Sequence, residues 1–139
     1  MTKNSVHGFD SFQGIPEDWN SVPAGTFSTD GQLPDVSGNV KLHIGFFEDT
    51  LHKFKNDFSA DVAFMHIDSD LYSSARTVLT ALKSQIKKGT IIVFDEYFNY
   101  PGWQGHEYLA FKEFINETGY QYEYIAFCSK GFSVGVKIV

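Results

Sequence analysis

VAFMHIDSDLY (62–72) and TIIVFDEY (90–97) carry the fold, because each is a short apolar run that stops in acids. Val62 to Ile67 and Thr90 to Phe94 have the near-continuous apolar character of strands buried on both faces. The residues between them are enough for a helical crossover, which makes a βαβ unit with parallel strands. Asp68 and the pair Asp95 and Glu96 then emerge at one carboxyl edge. If the strands are neighbours their ends lie about 5 Å apart, within the reach of a single bound cation. Open α/β sheets bind their ligands at that edge.

The 139 residues, 42% hydrophobic and 20% charged, suit one soluble domain large enough to bury a core. A net charge of −6, with no basic cluster beyond Lys87-Lys88, argues against nucleic acid. Cys128 is the single cysteine and falls in an expected strand, so the reading is a buried, inert thiol with no disulfide and no cysteine metal site. Neither a signal-peptide core nor a run of ~18 apolar residues is present, and the expectation is a cytoplasmic protein with no membrane partner.

Ser5 to Phe9 reads as a short strand with Asp10 at its carboxyl end. Gln13 to Val40 has three Pro, four Gly and no sustained period, which predicts a long irregular segment. Val40 to Phe46 reads as a second strand. Leu51, Phe54 and Phe58 give Glu48 to Phe58 a helical stripe, with Lys53 and Lys55 toward water. Ser73 or Ser74 is expected to cap the crossover helix, whose stripe is Val78, Leu79, Leu82 and Ile86 and whose end is marked by Lys87, Lys88 and Gly89. Asp70 is read as part of that cap, and His66 as a hydrogen-bonded core residue. Glu107 to Thr118 is predicted as a helix ending at Gly119, with Leu109, Phe111, Phe114 and Ile115 inward. Tyr120 to Cys128 and Phe132 to Val139 flank Ser129-Lys130-Gly131 as an antiparallel hairpin. The expected fold is α/β, a doubly wound, mostly parallel Rossmann-like sheet with a C-terminal antiparallel hairpin.

FDSFQGIPEDW (9–19), GTFS (25–28), FMHIDSDLYSS (64–74) and IIVFDEYFNYPGW (91–103) together resemble, in order and over most of the chain, the macrocin O-methyltransferase family. The resemblance implies a class I S-adenosylmethionine-dependent fold and metal-assisted methylation of a hydroxyl on a sugar or related natural product. It places Asp68, Asp95 and Glu96 at the positions that hold Mg or a similar divalent cation, although Glu96 stands where other members carry Asp. Asp10 matches the acid that commonly holds the cofactor ribose. Asp68 is the base for the acceptor hydroxyl, and Tyr97, Trp103 and His106 are the residues expected at the acceptor.

In that fold a first strand and glycine-rich turn precede the segment equivalent to SVHGFDS, whereas here only Met1 to Asn4 do, and no GxGxxG-like run occurs. The expectation is therefore the carboxyl-terminal portion of a methyltransferase, a single domain truncated at its amino terminus, with an uncovered strand edge that favours a homo-oligomer. Two other readings stand beside it. One is a non-catalytic, dimerising methyltransferase-like remnant. The other takes Asp68-Ser69-Asp70 as the DxD of a nucleotide-sugar glycosyltransferase, which leaves Asp95 and Glu96 without a role.

Overall fold

The computed structural model describes residues 5–139. Met1 to Asn4, the stretch that stands where the resemblance expects a preceding strand, lie outside the described residues. The described residues form two compact units, divided between Asn56 and Asp57.

In the first unit β1 (Val6–Asp10) and β2 (Val40–Ile44) pair in parallel, with Asp10 opposite Ile44 at their carboxyl ends. His7, Phe9 and His43 gather around Phe54 of α1 (Phe47–Asp57), with Phe9 stacked on His43 at 4.5 Å and edge-on to Phe54 at 5.2 Å. Lys53 and Lys55 are exposed, as their place off the stripe predicts. Between the strands the chain holds no regular element beyond a bridge of Trp19 to Val22. Buried Phe12 and Ile15 anchor this segment. Gly14 is required there, since its φ is +80° and an added Cβ would sit 2.3 Å from the Thr26 carbonyl oxygen.

The second unit holds a four-stranded mixed sheet in the order β3-β4-β6-β5. β3 (Phe64–Ile67) and β4 (Ile91–Phe94) are adjacent and parallel, joined through α2 (Tyr72–Ala81), so the βαβ unit forms, but β3 is buried on one face only, with Phe64 and His66 exposed on the other. β5 (Tyr122–Phe127) and β6 (Val134–Ile138) form the antiparallel hairpin, and β6 also pairs antiparallel with β4. Alternation along the strands sends Met65, Ile67, Ile92, Phe94, Val134, Val136 and Ile138 into the core. There they meet α2 and α3 (Glu107–Thr118), where Phe94 lies 5.1 Å from Phe111. α3 ends at Gly119, whose left-handed conformation lets its N–H bond the Ile115 carbonyl. Arg76 of α2 pairs with Glu113 and Glu117 of α3.

Four local expectations are corrected. α2 begins at Tyr72 after an N-cap Leu71 that makes no side-chain cap bond, so neither Ser73 nor Ser74 caps it. It stops at Ala81 rather than Lys88, because Leu82 to Ile86 close into turns and Gln85 reaches the carbonyls of Phe58 and Ala60; Lys87 and Lys88 are not in its last turn. Leu109 is exposed, and Glu107, Ala110, Phe111 and Phe114 form the buried stripe of α3. Cys128 lies just past β5 and is exposed, since the strand ends at Phe127.

Candidate functional site

Parallel pairing of β3 and β4 brings the two acid-bearing turns side by side. The Asp95 N–H bonds the Ile67 carbonyl, which continues the ladder one step past both strands before the chains diverge. Beyond it, Asp68, Asp70 and Glu96 each bring a carboxylate oxygen within 4.8 Å of the others. Asp70 has a left-handed backbone, φ 59°, which turns the chain toward Leu71 and carries its carboxylate toward Glu96 rather than onto the helix. Its place in this group, and the absence of a cap bond on α2, correct the reading of Asp70 as a cap.

Asp95 lies beside this trio and is engaged elsewhere. Its Oδ1 accepts a hydrogen bond from Ser133 Oγ at 3.1 Å and stands 3.6 Å from His66 Nε2. His66 itself is half exposed at the sheet face, not a core residue. The resemblance groups Asp68 with Asp95 and Glu96, whereas the geometry brings Asp68 together with Asp70 and Glu96.

The electrostatics of the trio are those of crowded like charges. Burial raises the Glu96 carboxyl to about 9, helped by the charges of Asp70, Asp95, Glu107 and Asp68. Burial also raises Asp70, with Asp68 and Asp95 adding to it against a hydrogen bond with Glu96. Glu96 Oε2 is buried and has no hydrogen-bond partner. A buried acceptor without a donor, amid three carboxylates offering oxygen only, fits a hard divalent cation, which would supply the positive charge the cluster lacks.

From sequence, Glu107, the first residue of α3, reads equally as a helix start or as a substrate contact beside the aromatic loop. It is fully buried, and its carboxylate joins the two turns: Oε1 accepts from the Ser69 N–H (3.2 Å) and Ser69 Oγ (3.3 Å), and Oε2 accepts from the Glu96 N–H (3.1 Å). Burial pushes this carboxyl up to about 8, against the pull of those donors. The signal was present in the sequence, because 107, 110, 111 and 114 lie on one helical stripe and an acid occupies its first position.

The aromatic residues divide. Tyr97 is 3% exposed and its hydroxyl is 2.9 Å from that of Tyr124, so it is a core residue with one surface on a cavity of about 740 Å³. Trp103 and Tyr108, edge to face at 4.8 Å, line the same cavity with Tyr124, Phe127 and Val134. It lies where β4 and β5 end and β6 begins, which is the carboxyl edge that holds the acids. Tyr100 donates its hydroxyl to the Glu96 carbonyl (3.1 Å) and props the acidic turn. His106 precedes α3 beside Tyr100 at 6.2 Å, and burial lowers its pKa. Asp10, in the first unit, is exposed, with Oδ1 accepting from the Phe12 N–H at 2.6 Å.

The acids thus stand at the carboxyl edge of a βαβ unit, the edge at which open α/β sheets bind ligands. The chain's fold matches part of several methyltransferases. The calicheamicin methyltransferase CalS11 superimposes with a TM-score of 0.74 at 22% identity, covering 96% of this chain and 60% of that one. The O-methyltransferase NovP gives 0.68 at 23% identity, covering 99% and 61%. An O-methyltransferase from Bacillus cereus, solved in complex with SAH, gives 0.51 at 14% identity, covering 98% and 74%. The chain thus spans about 60% of the length of the first two. No curated protein matches it. Residues 27–122 match the macrocin-O-methyltransferase (TylF) family, and the chain belongs to that family.

Proposed function

We propose that this chain carries the cation-binding edge of an S-adenosylmethionine-dependent O-methyltransferase whose acceptor is a hydroxyl of a sugar or related natural product. The observation that carries the reading is the convergence of Asp68, Asp70 and Glu96 within 4.8 Å around a buried, unpartnered Glu96 oxygen. In this reading the three acids hold Mg or a similar cation, with Asp95 beside them. A bound divalent cation would lower the pKa of a hydroxyl that it coordinates, and S-adenosylmethionine would supply the methyl group, its sulfur leaving as S-adenosylhomocysteine. In the same reading Asp68, the exposed member of the trio, takes the hydroxyl proton on a carboxylate oxygen. Tyr97, Trp103 and Tyr108 wall the cavity that receives the body of the acceptor, whose volume suits a small molecule. His106 borders the same edge as a further acceptor contact. Asp10 is the residue for the cofactor ribose; one bond to Phe12 leaves a carboxylate with further acceptor capacity.

The support for this chemistry is family membership, and the name of one structural relative as a TDP-rhamnose 3'-O-methyltransferase sets the acceptor class we favour. The same proposal keeps a single domain within a doubly wound methyltransferase sheet and a homo-oligomer.

The test is titration with S-adenosylhomocysteine, with and without Mg, followed by assay of methyl transfer to nucleotide-sugar hydroxyls. Binding that Mg strengthens, lost in Asp68→Ala, is expected. Binding of metal alone identifies a remnant without cofactor affinity. Binding of a uridine diphosphate sugar in place of the cofactor product overturns the reading in favour of a glycosyltransferase.

A further inference from the structure

α3 begins with an acidic residue that has no exposure to solvent, in the stripe that otherwise packs Ala110, Phe111 and Phe114. A buried carboxyl group is costly unless its oxygens are hydrogen-bonded, so its place is explained by what it holds. Its partners are not on its own helix. Oε1 takes both the N–H and the hydroxyl of Ser69, the residue between Asp68 and Asp70, and Oε2 takes the N–H of Glu96. One rigid side chain thereby ties the turn after β3 to the turn after β4, and those turns carry all three acids of the cluster.

We propose that Glu107 is the positioning residue of the cation site, a clamp that fixes the spacing between the Asp68-Asp70 turn and Glu96. The clamp requires an acceptor at both ends. Glutamine has the same shape but only one acceptor oxygen, so whichever way its amide faces, an N–H₂ group meets an N–H donor of one turn. Glu107→Gln therefore releases one turn while still filling the core. Aspartate is one methylene too short to reach both turns from the same helix position. The cation role rests on the proposed function above; the clamp itself rests on the hydrogen bonds.

The experiment has two readouts on the wild type, Glu107→Gln and a control, Phe114→Leu, which perturbs the same helix stripe away from the acids. Amide hydrogen exchange at Ser69 and Glu96 reads the clamp. Calorimetric titration with Mn²⁺ reads the site. Expected for Glu107→Gln is at least tenfold faster exchange at one or both of these amides, unchanged exchange at Ile92 and Val136, and at least tenfold weaker Mn²⁺ binding. Phe114→Leu should lower the unfolding temperature without either effect. Unchanged exchange and unchanged Mn²⁺ affinity in Glu107→Gln would overturn the inference while leaving the metal reading intact. Equal weakening in Phe114→Leu would also overturn it, since the effect would then be generic loosening. A wild type that binds no Mn²⁺ would overturn the cation role and the reading beneath it, whereas faster exchange at Ser69 and Glu96 in Glu107→Gln would still support the clamp.

Discussion

Replacing Glu96 with Gln should make the metal-free protein more stable, and increasingly so as pH rises. In the folded chain Glu96 holds its proton up to about pH 9, whereas in the unfolded chain it ionises near 4.5. The native state therefore binds more protons than the unfolded state between those values, and stability falls as pH rises through this window. Gln mimics the protonated acid and cannot ionise, so it removes that slope. Two unit charges 4.8 Å apart, the outer limit of the spacing within the trio, repel by about 3.5 kcal/mol at an effective dielectric constant of 20. Glu96 is only partly buried, so solvent screening reduces this, and the advantage of Glu96→Gln over wild type should reach about 1–2 kcal/mol near pH 9 and vanish near pH 4.5. Urea unfolding followed by circular dichroism in EDTA across pH 4.5 to 9 measures it. Adding Mg should reverse the order, because binding to the native state stabilises wild type and not the variant. Parallel stability curves for the two proteins across this pH range would refute the argument, since Glu96 would then not be the strained acid.

Other outcomes follow from the packing. Phe111→Ala, at a fully buried ring 5.1 Å from Phe94, should cost about 3–5 kcal/mol in chemical denaturation. Gly14→Ala should destabilise the segment around Ile15 by more than about 1 kcal/mol, read as faster amide exchange at Ile15 and Gly25, because the new methyl would collide with the Thr26 carbonyl. Tyr97→Phe leaves the Tyr124 hydroxyl without its 2.9 Å partner and should cost about 1 kcal/mol in the same assay. Mg or Mn at one hundred times its dissociation constant should raise wild-type stability by about 2.7 kcal/mol and leave Asp70→Asn unchanged.

The sequence made the βαβ unit and the hairpin legible because their signals are local: short apolar runs, a strict alternation from Val134 to Ile138, and a Gly at the end of α3. It misplaced what long-range contacts decide. α2 ends early, and the turns past it place the Gln85 side chain on the Phe58 and Ala60 carbonyls, a contact that no helix-end signal encodes. Asp70 looked like a cap because it stands just before a helix; only its left-handed backbone turns it to Glu96. Asp95 and Glu96 are adjacent in the bend that follows β4, and one of them pairs with Ser133 while the other joins the trio. Glu107 was visible as an acid in an apolar stripe, but the two turns it joins are distant in sequence, and only the fold reveals them.

The most direct measurement is the anomalous scattering of Mn²⁺ in a crystal of this chain. A single peak within about 2.5 Å of oxygens from Asp68, Asp70 and Glu96 is the predicted result. No peak there, or a peak held by Asp95 without Asp70, would contradict the site as the geometry draws it.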